Sequence, residues 1–336
     1  MTADGDPHPY SDLTPDRILA AVESFGLRCD GRITQLNSYE NRVYQLGLES
    51  DGLIVAKFYR PGRWPDAAIL EEHQFTQALR GEDLPVVPPQ TAEDGTSLKH
   101  FGPHRVAVFP SIGGRPPALD RDEDLRQLGR LVARIHNLGA LEEFAHRPGF
   151  QPGEVAARAV ESVARAKVIP DDLVASWEAL TKDLVELIRH RVGAAGAPAL
   201  LRLHGDCHPG NILWREDGPW LVDLDDTRMG PAVEDLWMFL SGDRDYQQAR
   251  LAELLAGYTA FRSFDARELG LVQALRSARL LHFLGWIAER WSDPAFPRAF
   301  PDFGENRFWE GQILSLREEL AFLQEAPLEW LPETTY

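Results

Sequence analysis

The residues best suited to chemistry lie in one short stretch, where carboxylate and amide side chains recur at fixed spacing. Residues 203–214 read LHGDCHPGNILW, so Asp206 precedes Asn211 by five positions in a loop containing glycine and proline. A second apolar run, 220–222, ends on Asp223. Phosphoryl transfer needs an oxygen base for a hydroxyl and hard oxygen ligands for magnesium. The spacing therefore predicts Asp206 and Asp223 as catalytic carboxylates, with Asp206 as the base and Asn211 and Asp223 as Mg²⁺ ligands.

The specificity of this motif comes from its full length. Single Asp and Asn residues are common in ordinary turns and carry little information. The string HGDxHxGN followed by two apolar residues, and then apolar-apolar-Asp, is much more specific. Two histidines in the same loop do not indicate zinc, because the oxygen-rich ligand set favours magnesium. No GxxxxGK[ST] sequence occurs, which excludes a P-loop enzyme.

The elements that must position these residues differ between the two parts of the chain. Residues 1–12 read as a loose tail, and Thr14-Pro15 as the start of a helix. Strand-like runs follow, then a helix over 66–80 and a further strand pair. The predicted strands are 32–36, 42–48, 53–59, 98–101 and 105–109, with Asp51-Gly52 as a hairpin turn. Residues 1–109 are therefore predicted as a β-rich region containing one long helix.

A linker rich in proline and glycine, 110–117, separates this region from a mostly helical one over 118–336. The exception is a compact β-like insert between 200 and 223. The periodicity of apolar residues predicts helices near 121–138, 153–168, 171–193, 234–240, 245–263, 265–291 and 306–325.

Composition narrows the functional classes. The net charge of −17 argues against binding to nucleic acid or to an anionic membrane surface, since both need excess Lys and Arg. The two cysteines do not form a CxxC pair, so a zinc site or a disulfide framework is not expected. Neither a signal peptide nor an apolar run of membrane-spanning length is visible, and the expectation is a cytoplasmic monomer.

A resemblance to a known family rests on the loop described above and on four further segments. These segments are LNSYENRVY (36–44), VAKFYRP (55–61), ILEEHQF (69–75) and VFPSIGGR (108–115). With them the chain resembles, over nearly its whole length, the aminoglycoside-phosphotransferase-like branch of the protein-kinase-like superfamily, and within it the bacterial Ser/Thr protein kinases. The resemblance implies an α+β, bilobal protein-kinase-like fold with a small antiparallel β-rich N-lobe, a hinge at 110–117 and a larger helical C-lobe.

The resemblance also implies nucleotide-binding roles. Lys57 would bind the α- and β-phosphates of ATP, and Glu72 would hold Lys57, with the adjacent Glu71 as the rival. Glu72 is preferred because Phe75 and Leu79 lie three and seven positions later, on the apolar stripe of the helix.

Three further roles follow for loops and turns. Ser38 would contact phosphate, and main-chain groups near Phe109 and Ser111 would contact adenine. Asp235 would accept hydrogen bonds from the backbone of the loop that carries Asp206, here called the catalytic loop. His136, on an apolar helix face, is more typical of a packing residue than of a ligand.

Three functions are compatible with the motif. The first is an ATP-dependent Ser/Thr protein kinase that transfers the γ-phosphate to a protein hydroxyl. The protein acceptor and a role in stress response are implied by the resemblance alone. The second is a small-molecule kinase acting on an aminoglycoside or a choline-like alcohol, since the motif would be the same. The third is a non-catalytic nucleotide-binding regulator, which predicts loss of the base or the metal ligands, and these are present.

Overall fold

A computed structural model describes residues 9–330 and divides the chain into two compact units. The first unit comprises the described residues up to Ala118, together with Phe144–Pro148 and Pro209–Thr227. The second comprises Leu119–Glu143, Gly149–His208 and the described residues from Arg228 onward. Within residues 9–330, no helix combines the length and the apolarity needed to cross a membrane.

The first unit contains an antiparallel sheet of five strands, in the order β1 (Cys29–Gln35), β2 (Arg42–Leu48), β3 (Gly52–Tyr59), β5 (His104–Pro110) and β4 (Lys99–Phe101). Asp51, with φ of 58°, makes the turn between β2 and β3 as the Asp-Gly pair predicts. The remaining elements are two helices and a hairpin. Their bounds are α1 Pro15–Glu23, α2 Asp66–Gly81, β7 Ile212–Arg215 and β8 Gly218–Leu221.

The two faces of the central strand β3 contact different helices. Ile54, Ala56 and Phe58 are buried in a cluster that includes α1, whereas Tyr59 packs with Ile69 of α2. Successive side chains of a strand point to opposite faces, so Lys57 shares the face of Tyr59 and is directed toward α2. The alternation read from the sequence thus sets which side chains can reach Lys57.

The N-terminal segment corrects one expectation and supports another. Thr14 caps α1 by accepting a hydrogen bond from the Arg17 N–H, as predicted. Residues 1–8 of the predicted loose tail, 1–12, lie outside the described residues. Residues 9–12 are described and are ordered. Tyr10 is buried, and its hydroxyl donates to the carbonyls of Glu40 and Phe58. The tail prediction was wrong here, because an aromatic ring with a satisfied hydroxyl gains more from burial than the backbone loses by ordering.

The second unit is mainly helical and contains one short antiparallel strand pair, β6 with β9. Its elements are α3 Asp122–Gly139, α4 Pro152–Ala166, α5 Asp171–Ala194, β6 Leu201–Leu203, β9 Arg228–Gly230, α6 Arg244–Thr259, α7 Val272–Glu289, α8 Ala295–Ala299 and α9 Asn306–Phe322. An antiparallel β-rich N-terminal region and a helical C-terminal region confirm the predicted α+β class.

Two predicted helices differ from the structure. The segment 234–240 forms two 3₁₀ turns, Ala232–Asp235 and Trp237–Phe239, and 265–291 begins with a 3₁₀ turn before α7. The N–H groups of Leu236 and Leu240 donate to carbonyls three positions earlier, as in a 3₁₀ turn, and the Glu268 carboxylate accepts from the Val233 N–H at 2.9 Å. Apolar spacing cannot distinguish such turns from an α-helix.

Candidate active site

The loop that carries Asp206 is fixed by Asp235 in the second unit. The two Asp235 carboxylate oxygens accept the backbone N–H groups of His204 and Gly205 at 2.7 and 2.8 Å. His136 of α3 contacts Asp235 at 3.1 Å and the Tyr258 hydroxyl of α6 at 2.9 Å. The loop-fixing role expected for Asp235 is confirmed, as is the packing role of His136. Two helices thereby hold the loop.

Each carboxylate oxygen of Asp206 contacts a side chain, an arginine at Oδ1 and a histidine at Oδ2. The Arg279 guanidinium of α7 donates to Oδ1 at 2.6 Å, and His208 Nε2 lies 3.3 Å from Oδ2. Burial by itself raises the pKa of Asp206, but His208 and the Arg279 charge outweigh it and bring the pKa well below the usual range. Asp206 is therefore ionised at neutral pH, as a general base must be.

Lys57 is buried among three carboxylates of the first unit. Its Nζ lies 2.6 Å from Asp223 Oδ1, 3.8 Å from Asp225 Oδ1 and 3.9 Å from Glu72 Oε1. Burial alone would lower the pKa of Lys57, but the three carboxylates outweigh it and raise that pKa. The ammonium is thus charged and directed toward Asp223, and it is not a solvated strand lysine.

Glu72, rather than Glu71, faces Lys57. Glu72 is buried, whereas Glu71 accepts the backbone N–H groups of Ala145 and His146 at 2.7 and 2.9 Å. Arg147 is buried too, and its guanidinium donates to Glu72 at 3.0 Å. Burial raises the pKa of Glu72 to about 7, although Lys57 and Arg147 counteract this.

Asn211 and Asp223 lie at the same end of the β7–β8 hairpin. Asn211 precedes β7, Asp223 follows β8, and the Val222 N–H donates to the Asn211 carbonyl at 3.0 Å. Asp223 adopts a left-handed backbone with φ of 60°, and half of its side chain is exposed.

This donor set fits a hard divalent cation. Asn211 offers an amide oxygen and Asp223 offers carboxylate oxygens. The buried Oδ1 of Asp225 accepts no hydrogen bond within residues 9–330. Across the same residues, no group of three or more His, Cys, Asp and Glu side chains is arranged to hold a metal. A magnesium site of the kinase type uses one or two protein carboxylates, with phosphates and water completing the shell.

The other predicted nucleotide-binding residues lie in or beside the sheet of the first unit. Ser38 is half-buried in the loop between β1 and β2. The Phe109 ring lies 5.6 Å from Lys57 Nζ. The Ser111 hydroxyl accepts from Gln45 at 3.0 Å, and its N–H donates to the Leu53 carbonyl at 3.3 Å. The Ser111 N–H is therefore occupied by the sheet.

Three arginines in these clusters were not predicted. Arg63 pairs with both Asp225 and Asp226, Arg147 with Glu72, and Arg279 with Asp206. Pro61, Gly62 and Pro65 mark the loop that carries Arg63, but they do not indicate its partners. Arg147 and Arg279 lie 75 and 73 positions from their partners, a separation that no local pattern encodes.

Comparison with known proteins gives a consistent result. Residues 32–272 match a family described as "Phosphotransferase enzyme family". The chain is 42% identical over 323 residues to "Stress response kinase A" of Escherichia coli (strain K12), covering 96% of this chain and 97% of the relative. It is 40% identical, with the same coverage, to "Serine/threonine protein kinase RdoA" of Salmonella typhimurium (strain LT2).

A solved structure shows the same fold at low identity. The amicoumacin kinase hAmiN in complex with AMP-PNP, Ca²⁺ and Ami superposes with a TM-score of 0.71 at 15% identity, covering 93% of this chain and 95% of that one. The family relationship implies ATP binding and use of a divalent metal ion. Sequence, fold and comparisons agree, and the resemblance is confirmed: the chain belongs to the phosphotransferase enzyme family and is an ATP-dependent kinase.

Proposed function

We propose that this kinase transfers the γ-phosphate of ATP to a Ser or Thr hydroxyl of a protein, with Mg²⁺ as the metal, as part of a stress response. The observation that carries the chemistry is the ionised Asp206 carboxylate, held by Arg279 and His208. The protein acceptor and the stress response are supported by the names of relatives that align with 96% of the chain.

The proposed roles follow from charge and position. Asp206 accepts the hydroxyl proton while the hydroxyl oxygen attacks the γ-phosphorus, and the bond from that phosphorus to the β–γ bridging oxygen breaks to release ADP. Lys57 binds the α- and β-phosphates, and Glu72 with Arg147 holds the lysine. Asn211 and Asp223 hold Mg²⁺, which supplies charge neutralisation on the phosphates when bound. Ser38, Phe109 and Ser111 line the nucleotide site.

The first experiment tests the base. Purified protein with Mg²⁺ and labelled ATP should label itself or a generic acceptor such as myelin basic protein. Asp206→Asn keeps the shape but cannot take the proton, so the transfer rate should fall by roughly 10²–10⁴-fold while ATP affinity changes little. Asp217→Asn, on the exposed turn between β7 and β8, is the matched control and should retain full activity.

Two results would contradict the proposal. Full activity of the Asp206→Asn variant would remove Asp206 from the role of base. Transfer to small amino-alcohols with none to any protein would instead favour a small-molecule kinase, which shares the motif and the fold.

A further inference from the structure

A cavity of about 380 Å³ in the second unit lies next to the base. Five of its lining residues matter here: His208 of the catalytic loop, Trp237, Arg276 and Arg279 of α7, and Glu319 of α9. Because His208 and Arg279 both contact Asp206, the cavity borders the carboxylate that receives the hydroxyl proton. Whatever occupies it is close to the acceptor hydroxyl.

Two arginines of α7 line this cavity. Arg276 and Arg279 are three positions apart and therefore lie on the same helix face. Arg276 donates to the Leu240 carbonyl at 2.7 Å, and Arg279 donates to Asp206 at 2.6 Å. Each guanidinium has five N–H donors, so these bonds leave others for a ligand.

The acidic residue of the cavity is hydrogen-bonded to α7 and lies close enough to Arg276 for the two charges to interact. The Glu319 carboxylate accepts hydrogen bonds from Gln273 and from the Ser277 hydroxyl. Trp237 contributes an apolar wall. The cavity therefore combines two arginines, one glutamate and an aromatic surface, and with the arginines in the majority it suits an anion better than a cationic alcohol.

Arg279 also competes for the base. Its guanidinium donates to Oδ1 of Asp206, so an acceptor hydroxyl that bonds this oxygen must share it with the guanidinium until the guanidinium moves. A second anion beside the hydroxyl can take over the guanidinium. The side chain of Arg279 is 46% exposed and can move without unpacking the core of the unit.

We propose that Arg276 and Arg279 bind an anionic group of the acceptor, a carboxylate or a phosphate, placed close to the hydroxyl that is phosphorylated. This inference rests on the proposed protein-kinase function and specifies its substrate class. An extended peptide rises about 3.3 Å per residue, so the anion should lie within about two or three residues of the acceptor Ser or Thr. Binding the anion draws Arg279 away from Asp206 and frees the base.

Peptides test this directly. One Ser peptide is made with Ala, Glu, phosphoserine or Lys at each of the three positions on either side of the acceptor. Wild-type enzyme should give kcat/KM about tenfold or more higher for the best Glu or phosphoserine peptide than for the matching Lys peptide. A gain with phosphoserine alone points to a previously phosphorylated substrate, and an equal gain with Glu to an acidic sequence.

Variants assign the preference to Arg279. Arg279→Gln should abolish the discrimination between acidic and basic peptides, in KM because the anion loses its partner and in kcat because the anion no longer frees Asp206. Arg279→Lys should restore part of the discrimination because the charge returns. Arg267→Gln removes an exposed arginine that pairs with Asp265 in the same unit, and should keep the wild-type discrimination. Circular dichroism verifies that each variant is folded.

The failures can be told apart. If wild-type enzyme phosphorylates peptides but treats acidic and basic ones equally, or if Arg279→Gln retains the preference, this inference is wrong and the proposed function stands. If amino-alcohols are phosphorylated and no peptide or protein is, the proposed function itself fails.

Discussion

At the scale of single residues, the charged side chains around Lys57 form a connected network of ion pairs and hydrogen bonds inside the first unit. Lys57 and Arg147 share Glu72, while Arg63 and Asn41 bind Asp225. Burying charges is costly unless each is paired, and removing one partner leaves the other uncompensated. Each member is therefore held in place by the others, and the loss of one alters where Lys57 points.

Glu72 provides the sharpest test of this set. Glu72→Gln keeps the volume but removes the negative charge that Glu72 carries above pH 7, so at pH 8 Lys57 is drawn toward Asp223 and Asp225. We expect nucleotide affinity to weaken by roughly tenfold, the loss of about one charge-assisted hydrogen bond. Calorimetric titration with an ATP analogue and Mg²⁺ measures this nucleotide affinity.

The neighbouring carboxylate is the control. Glu71→Gln alters a side chain that accepts hydrogen bonds from the Ala145 and His146 N–H groups, away from Lys57. It should bind nucleotide within about twofold of wild type. Similar losses in both variants would show that Glu72 has no special part in holding Lys57.

At the scale of elements, the second unit depends on a close approach of α3 and α6. A Cβ added at Gly129 of α3 would lie 2.1 Å from the Leu254 carbonyl oxygen and 2.8 Å from the Tyr258 nitrogen, and both are backbone atoms of α6. The same two helices supply His136 and Tyr258, which reach Asp235 and hence the catalytic loop. The spacing of the helices and the position of the loop are therefore linked.

Gly129→Ala should destabilise the protein by about 1–3 kcal/mol or more, since backbone atoms cannot move aside cheaply. Gly311→Ala is the matched control, because α9 has open space at that position and alanine is favoured in a helix by about 1 kcal/mol. The midpoint of urea unfolding should fall for the first variant and rise slightly for the second. An unchanged midpoint for Gly129→Ala would mean that the helices are farther apart than described.

At the scale of the whole molecule, buried glutamates make stability depend on pH. Burial raises the pKa of Glu72, Glu234 and Glu268 to about 7 each. Glu234 illustrates the cause: its Oε2 accepts no hydrogen bond within residues 9–330, and Arg228 lies 3.3 Å from its other oxygen. Between pH 4.5 and 7 the folded protein holds more protons than the unfolded chain at these sites.

The sign of the effect follows from this difference. A carboxyl with a raised folded-state pKa contributes its stability fully below the unfolded pKa, and that contribution is lost as pH rises through about 7. We therefore expect the free energy of unfolding to fall between pH 5 and pH 8.

Glu234→Gln should reduce this fall by on the order of 1–3 kcal/mol, because glutamine never ionises. Denaturant unfolding of wild type and variant at several pH values measures the free energy of unfolding and its slope with pH. Glu310→Gln, on the exposed surface of α9, should keep the wild-type slope. If the Glu234→Gln slope equals that of wild type, Glu234 does not titrate in this range.

Local patterns in the sequence predicted most of the elements. Strand alternation, the Asp-Gly turn and the Thr-Pro helix start act over a few residues, and β2 appears with its predicted bounds of Arg42–Leu48. The spacing of Asp206, Asn211 and Asp223 predicted the chemistry, because a motif within one loop and hairpin is itself local. The 3₁₀ turns at 232–239 were missed because the apolar spacing of so short a segment does not distinguish a 3₁₀ turn from an α-helix.

Long-range packing decided the partners of these residues. The sequence determined that two carboxylates, an amide and a lysine are present, and it favoured Glu72 over Glu71. Only the tertiary structure revealed Arg147 behind Glu72 and Arg279 on Asp206. Charged side chains are frequent along the whole chain, so their spacing carries no signal about pairing. Their partners depend on how distant helices and loops pack, and that information exists only in the folded molecule.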